Sequence, residues 1–243
     1  PDSIQVIRSE TKRWEKEVYP REKERLGVFE TLSGIPIEAI YTPEDTANMD
    51  YLQDLGFPGE EPFIRGVHPT MYRGRTWTQR QLAGYGPPEE TNKRYKFLLK
   101  QGANGINGVF DYPTLRGYDS TDPEAYADAG RGGVAIDTIE DMRILLDGIP
   151  IDQVSSSMVT CQPIGNISVQ SMYFANAEAR GIPFNKLTGT SQNDFLMETV
   201  VAIAPEVLPP KASFKLSCDA IEYCTKYVPR WNPVSFAGYN YRE

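Results

Sequence analysis

Between Ile64 and Arg80 the chain places four arginines and no acid, interleaved with His68, Met71, Tyr72 and Trp77, although its formal net charge is -8. This mixture suits a ligand with both phosphate and flat apolar parts. Guanidinium forks match phosphate oxygens in pairs, and aromatic or thioether groups cover a ring or an acyl chain. The competing reading is a loop whose arginines pair with acids elsewhere. A second polar set closes short apolar runs: Asp111, Thr160 with Cys161, Gln192 with Asn193 and Asp194, and Tyr239 with Asn240. Amides and hydroxyls there can hold a carbonyl, but Asn, Asp and Thr also cap helices and make turns. The cap role is expected for Asp194, and a site role for Gln192 and Asn240. His68 is the sole histidine. That excludes a His-rich metal site, so no metal ligands are assigned, and it leaves a Ser-His-Asp triad a single candidate base.

The elements that must position these groups change character along the chain. Glu10 to Arg25 is densely charged and reads as a solvated helix broken near Pro20. Pro-punctuated extended segments and an acidic turn, "DLGFPGEEPF", follow. From Pro87 onward a regular alternation takes over. Thr91 to Gln101 reads as an amphipathic helix with Tyr95, Leu98 and Leu99 on one side, ended by Gly102. Four apolar runs are expected as strands: "GINGVFD" to Asp111, "QVSSSMVT" to Thr160, "KLTGTSQ" to Gln192 and "PVSFAGYN" to Asn240. Helices are expected over Ile139 to Leu146, capped by Thr138, around Ile167 to Arg180, and from Ser217 to Tyr227. Strands alternating with helices mean parallel βα units. The expected fold is α/β, with this chain supplying about the first four units of a (β/α)8 barrel of the TIM type, whose chemistry sits at the C-terminal strand ends. Residues 1–86 are expected as an extended N-terminal segment and 87–243 as the half-barrel. Open parallel edges invite pairing, so a second chain or segment is expected to cover them.

Composition narrows the function classes. At 243 residues and 40% hydrophobic content the chain can build a real core. Its acidity argues against nucleic acid, whose binders need broad positive surface. No run of 18 apolar residues appears, which excludes a membrane span. Three cysteines without close ligand spacing suit free thiols in a reducing cytosol, so a cytoplasmic location is expected.

The segments "PTMYRGRTWTQRQLAGYG", "ETNKRYKFLLKQGANGINGVFDYPTLRGYDS", "GGVAIDTIEDMRILLDGIP", "LTGTSQNDFL" and "VPRWNPVSFAGYNYRE" together resemble the substrate domain of the methylmalonyl-CoA mutase family, from about Ile35 onward. The resemblance implies adenosylcobalamin as cofactor and a radical rearrangement of a CoA thioester threaded through the barrel. It further implies that cobalamin is held mainly by a separate C-terminal domain, here a partner chain or segment. Carried over residue by residue, it makes Thr70, Met71, Arg75, Thr78 and Arg80 the CoA contacts, with His68 where relatives usually have tyrosine. Gln192 falls near the thioester and acts with Asn240 and Tyr239 as the catalytic set. Leu82, Asn107, Val109 and Thr190 line the substrate path, and Phe110, Tyr112 and Glu243 face the cobalamin. Departures are on the acyl side. Asn240 replaces a catalytic histidine, and Leu82 replaces the tyrosine near the migrating group. The acid that contacts a substrate hydroxyl in a 2-hydroxyacyl relative becomes Val109. "TVVAIAPE" lacks the carboxylate-gripping arginine, and no DxHxxG motif supplies a lower cobalt ligand. A neutral, non-carboxylated acyl group is therefore expected. The alternatives are a lyase or decarboxylase of CoA thioesters without cobalamin, and a non-catalytic acyl-CoA-binding or assembly subunit.

Overall fold

The computed structural model describes residues 3–197 and 208–238. The expectations for "TVVAIAPE" and for Tyr239, Asn240 and Glu243 lie outside these residues. Two compact units divide the chain, residues 1–77 and 78–243.

The first unit opens with helix α1, Ile4–Glu17, whose N-terminus is capped by the Ser3 hydroxyl accepting from the Val6 N–H. Pro20 cannot continue an α-helix, and a short 3-10 turn, Tyr19–Arg21, takes over. The expected helix from Glu10 to Arg25 therefore begins earlier and ends at Glu17. Further on, residues 51–66 fold back on themselves: the Gly59 N–H reaches the Gly66 carbonyl at 2.9 Å. The Arg65 guanidinium covers the Tyr51 ring at 5.6 Å and donates to its hydroxyl at 3.2 Å. Among the described residues of this unit, Gly56 alone is buried.

The second unit is a parallel α/β layer. Strands β1 (Leu82–Ala83), β2 (Gly105–Val109), β3 (Ser155–Val159), β4 (Gly189–Ser191) and β5 (Trp231–Asn232) form one five-stranded sheet in that spatial order. All four pairings are parallel. Five strands replace the four expected, because β1 is a two-residue strand hidden in the arginine-rich stretch. Its pairing extends backwards. The Gln79 N–H donates to the Asn104 side chain at 2.6 Å, and the Asn104 N–H to the Gln79 carbonyl at 3.2 Å. Residues 78–86 thereby belong with the sheet, whereas a division was expected at 86/87. β5 also moves: the run expected from Pro233 to Asn240 pairs at Trp231 and Asn232, and Pro233, lacking an N–H, ends the ladder.

The intervening helices are α2 (Pro88–Lys100), α3 (Tyr112–Arg116), α4 (Ile139–Leu146), α5 (Pro163–Ala179) and α6 (Pro210–Tyr227). Right-handed crossovers between strands that follow one another in space carry their helices to one face of the sheet. Accordingly α2 packs on α4, α4 on α5 and α5 on α6. This sequential winding differs from that of a doubly wound sheet, whose order reverses. α4 starts where expected, with a capping box in which Thr138 and Asp141 each bond the other's backbone N–H.

The core lies between the sheet and these helices. Ile106, Met158 and Trp231 point into it from the strands, and Tyr95, Leu145, Tyr173 and Phe174 from the helices. The Trp231 ring stands 5.2 Å from both Tyr173 and Phe174 and covers Gly189, where a Cβ would sit 2.3 Å from the indole. Several buried polar groups within this layer are paired. Ser191 accepts from the Trp231 indole at 2.9 Å and from Gln170 at 3.0 Å, and the Ser156 and Tyr173 hydroxyls meet at 2.8 Å.

Candidate functional site on the open face of the sheet

Successive strand residues face opposite ways, and parallel register sets partners side by side. On the face opposite Ile106 and Met158 the register partners run in one row across all five strands. Leu82 stands beside Asn107, Asn107 beside Ser157, Ser157 beside Thr190, and Thr190 beside Asn232. Leu82 is 62% exposed, while Asn107, Ser157 and Thr190 are half-buried. Two residues toward the strand C-termini lies a second row, in which Val109 pairs with Val159. The Gln192 N–H donates to the Met158 carbonyl at 3.1 Å, which extends that row to Gln192. Two residues in the other direction stands Arg80. Its stem runs over Gly105, where a Cβ would lie 2.5 Å from the Arg80 Cγ, and its guanidinium donates to the Ser155 hydroxyl at 3.3 Å.

This face thus grades along the strands from a cation, through hydroxyls and amides with one aliphatic side chain, to two valines and the Gln192 amide. At about 3.3 Å per residue, the Arg80 and Val109 levels are roughly 13 Å apart. Arg80, Leu82, Asn107, Val109, Thr190 and Gln192, all expected as site residues, share this one surface. Ser155, Ser157 and Asn232 were missed. The signal for the serines was present in "QVSSSMVT", where hydroxyls replace the apolar residues of a buried strand at every second position.

Other expected residues are placed differently. Phe110 is 3% exposed and belongs to the core cluster, so its ring serves packing against the helices rather than the open face. Thr78 is half-buried at the start of the second unit. His68, Thr70, Met71 and Arg75 lie exposed in the first unit. There the Met71 N–H bonds the His68 carbonyl at 3.0 Å, and Met71 itself has φ 47°. The Thr70 hydroxyl sits so close to Gly74 that a Cβ would be 2.1 Å away. Neither Arg65, Arg73, Arg75 nor Arg80 forms an ion pair with a described residue of its own unit.

The polar strand ends sort into two kinds. Asp194 accepts from the Met197 N–H at 3.0 Å and the Ala237 N–H at 2.9 Å, the cap role expected of it. Asn193, at φ 48°, donates to the Ser217 and Pro233 carbonyls. Thr160 donates to Asn166 at 2.8 Å, and Cys161 is buried, which pushes its thiol pKa up. Gln192 differs: it is half-buried and its amide nitrogen meets the Met197 sulfur at 3.3 Å.

At the C-terminal end of β1 and β2 the chain threads back into the sheet. Val134 bridges in parallel to both Gly86 and Phe110. The Gly133 α-carbon is pressed so tightly on the strand that a Cβ would lie 2.1 Å from the Phe110 carbonyl carbon. Asp111, 1% exposed, fastens this loop: one carboxylate oxygen accepts from Thr114 N–H at 3.0 Å and the other from Gly130 N–H at 2.6 Å. Tyr112, 41% exposed, stands at this rim. Among the described residues no three His, Cys, Asp or Glu side chains converge on a common point, and no helix is long and apolar enough to cross a membrane.

Fold and face together define a parallel α/β domain whose open sheet face grades from a guanidinium through hydroxyls and amides to aliphatic side chains and an amide. The model of the methylmalonyl-CoA mutase family matches residues 30–243, and the chain belongs to that family. Over its full length it is 44% identical to the 2-hydroxyisobutanoyl-CoA mutase large subunit of Aquincola tertiaricarbonis, of which it covers 43%. It is 42% identical over 94% of its length to the methylmalonyl-CoA mutase of Cereibacter sphaeroides, covering 32% of that protein. With the human mitochondrial methylmalonyl-CoA mutase it shares 44% identity over 89% of its length, covering 28%. The chain therefore spans less than half the length of these curated relatives.

Proposed function

We propose that this chain is the substrate-binding part of an adenosylcobalamin-dependent acyl-CoA mutase, acting on a CoA thioester whose acyl group carries no free carboxylate. The observation that carries the reading is the gradient on the open face: a guanidinium without an ion pair among the described residues at one level and the Gln192 amide about 13 Å further along the strands. Phosphate belongs with Arg80 and its Ser155 neighbour, and the amides and hydroxyls of Asn107, Ser157, Thr190 and Asn232 suit the polar arm. Gln192 holds the thioester carbonyl, joined there by Asn240 and Tyr239 through the family motif. The segment with His68, Thr70, Met71, Arg75 and Thr78 supplies further CoA contacts by the same motif correspondence.

The sequential, one-sided winding supports a (β/α)8 barrel of which these are the leading strands. The remaining strands and the cobalamin-binding domain come from another chain or segment. One relative is named a large subunit, which fits such an assembly. Three free cysteines, two of them buried, fit a reducing cytosol.

For the cofactor, the rim after β2 offers an exposed Tyr112 beside a glycine-lined loop. A Cβ at Gly132 would only just touch the Tyr112 ring, at 3.6 Å, so backbone and ring form a shallow flat surface. That surface fits the flank of a planar group, and Glu243 joins it by motif correspondence. Bound adenosylcobalamin supplies the radical chemistry that rearranges the carbon skeleton. This chain's residues hold and orient the thioester and exclude water from it. Asn240 can donate a hydrogen bond but can neither transfer a proton nor take a positive charge at neutral pH, which weakens carbonyl polarisation and slows turnover.

The acyl preference rests on Leu82, Val109 and Val159. A buried carboxylate without a cation costs several kcal/mol, and Arg80 stands at the far level. Lys215 is held by Asp219 at 2.5 Å on α6. Calorimetric titration of acyl-CoAs into the assembled protein tests both parts. Arg80→Ala should weaken binding roughly tenfold or more, the worth of a charge-assisted bond of about 1.5–3 kcal/mol. Among substrates, saturated acyl-CoAs such as isobutyryl-CoA should isomerise best by mass spectrometry. Unchanged affinity, or methylmalonyl-CoA as best substrate, overturns the respective part.

A further inference from the structure

Tyr112 and Arg116 begin and end α3, one helical turn apart, so their side chains meet on one side of it. The Arg116 guanidinium covers the Tyr112 ring at 5.3 Å. Its Nη1 lies 3.6 Å from an Asp128 carboxylate oxygen, and its Nε is buried without a hydrogen-bond partner. Asp128 begins the turn that carries the glycine loop, since its carbonyl accepts from the Arg131 N–H at 3.0 Å. The Tyr112 ring therefore has the guanidinium on one side and the Gly132 backbone close by. The arginine is tied to the same loop that Asp111 fastens from the other end of α3.

An arginine that leaves a buried N–H unpaired while stacking on an exposed ring is costly for stability alone, since unpaired buried donors destabilise. Resting on the cofactor reading above, we infer that Arg116 is a positioning residue. Its stacking and its link to Asp128 fix the Tyr112 ring at the rim as a wall for flat, planar cobalamin. Lysine cannot replace it fully, because an ammonium offers no plane to lie on the ring.

The test is a double-mutant cycle on adenosylcobalamin binding, followed by visible absorbance in the assembled enzyme with acyl-CoA present. Arg116→Ala should raise Kd about three- to fivefold, in the range of an exposed cation–π contact, and Arg116→Lys should recover only part of the loss. In a Tyr112→Ala background the same Arg116→Ala change should alter Kd less than about twofold. 3-Fluorotyrosine at position 112 gives a readout without cofactor: its fluorine resonance should shift in Arg116→Ala and return part way in Arg116→Lys. An undiminished effect in the Tyr112→Ala background, or an unmoved resonance, overturns the Arg116 assignment. A wild-type assembly that binds acyl-CoA but no adenosylcobalamin overturns the cofactor reading instead, and the role as a wall for cobalamin falls with it.

Discussion

The two units of this chain hold themselves together by different means. Residues 78–243 bury a continuous core of two dozen apolar side chains between sheet and helices. Residues 3–77 bury Gly56 alone, while Leu32, Val28, Ile35 and Tyr72 are all more than half exposed. Order in the first unit rests on caps, turns and local bonds, such as the Arg65–Tyr51 contact and the Thr70–Gly74 approach. Such local interactions each contribute about 1 kcal/mol or less, whereas removing a buried aromatic costs several. The comparison separates a part that specifies its own packing from one specified by turn chemistry.

The sharpest way to break that contrast is a matched pair of truncations. Trp231→Ala should lower stability by about 3–5 kcal/mol in denaturant titration, because it opens a cavity beside Tyr173 and Phe174 and removes one of the two hydrogen bonds that Ser191 accepts. Leu32→Ala, at a residue 94% exposed, should stay within about 0.5 kcal/mol. A comparable loss at Leu32 would mean that the first unit has a core of its own in the assembled protein.

Alkaline pH should act on the second unit. Burial pushes the Cys224 thiol from 9.0 up to about 12 and raises Tyr95 and Tyr173 above their ordinary 10.0. The unfolded chain loses these protons first, so it binds fewer protons than the folded one and stability falls as pH rises. The loss should begin above about pH 9 and deepen above about pH 10, through the Cys224 value near 12. Cys224→Ser should remove the earliest part of that slope. A stability curve flat from pH 8 to about 11 would contradict it.

A smaller effect separates helix ends from cores. Thr138→Ala removes one side of the capping box of α4 and should cost about 1 kcal/mol, read as a shift of the denaturation midpoint without change in slope.

Much of this architecture was legible because hydrophobic period and caps agree with the final packing. The α4 boundaries follow directly from Thr138, and β2 and β3 lie within the runs that contain them. The helix starts were read late for a common reason. α2, α5 and α6 open on Pro88, Pro163 and Pro210. Proline suits the first turn, where its missing N–H has no partner to lose, so each helix begins ahead of its apolar period. β1 escaped because two residues carry no readable alternation and its ladder depends on a distant partner, Asn107. Phe110, next to a strand end, reads as rim, but its parity with Ile106 and Gly108 sends the ring inward to the core. Asn232 required the register through Asn107, Ser157 and Thr190, which no single segment contains.

The threading of Val134 between Gly86 and Phe110 has a geometric consequence for this sheet. Near Arg80 the first two strands are direct neighbours, and at the rim a third segment stands between them. One added strand spacing is about 4.8 Å, so the sheet widens by that amount between these two levels. The taper narrows toward the cation and widens toward Gln192 and Tyr112. The added segment lies this close because Gly133 carries no side chain where a Cβ would meet the Phe110 carbonyl carbon at 2.1 Å.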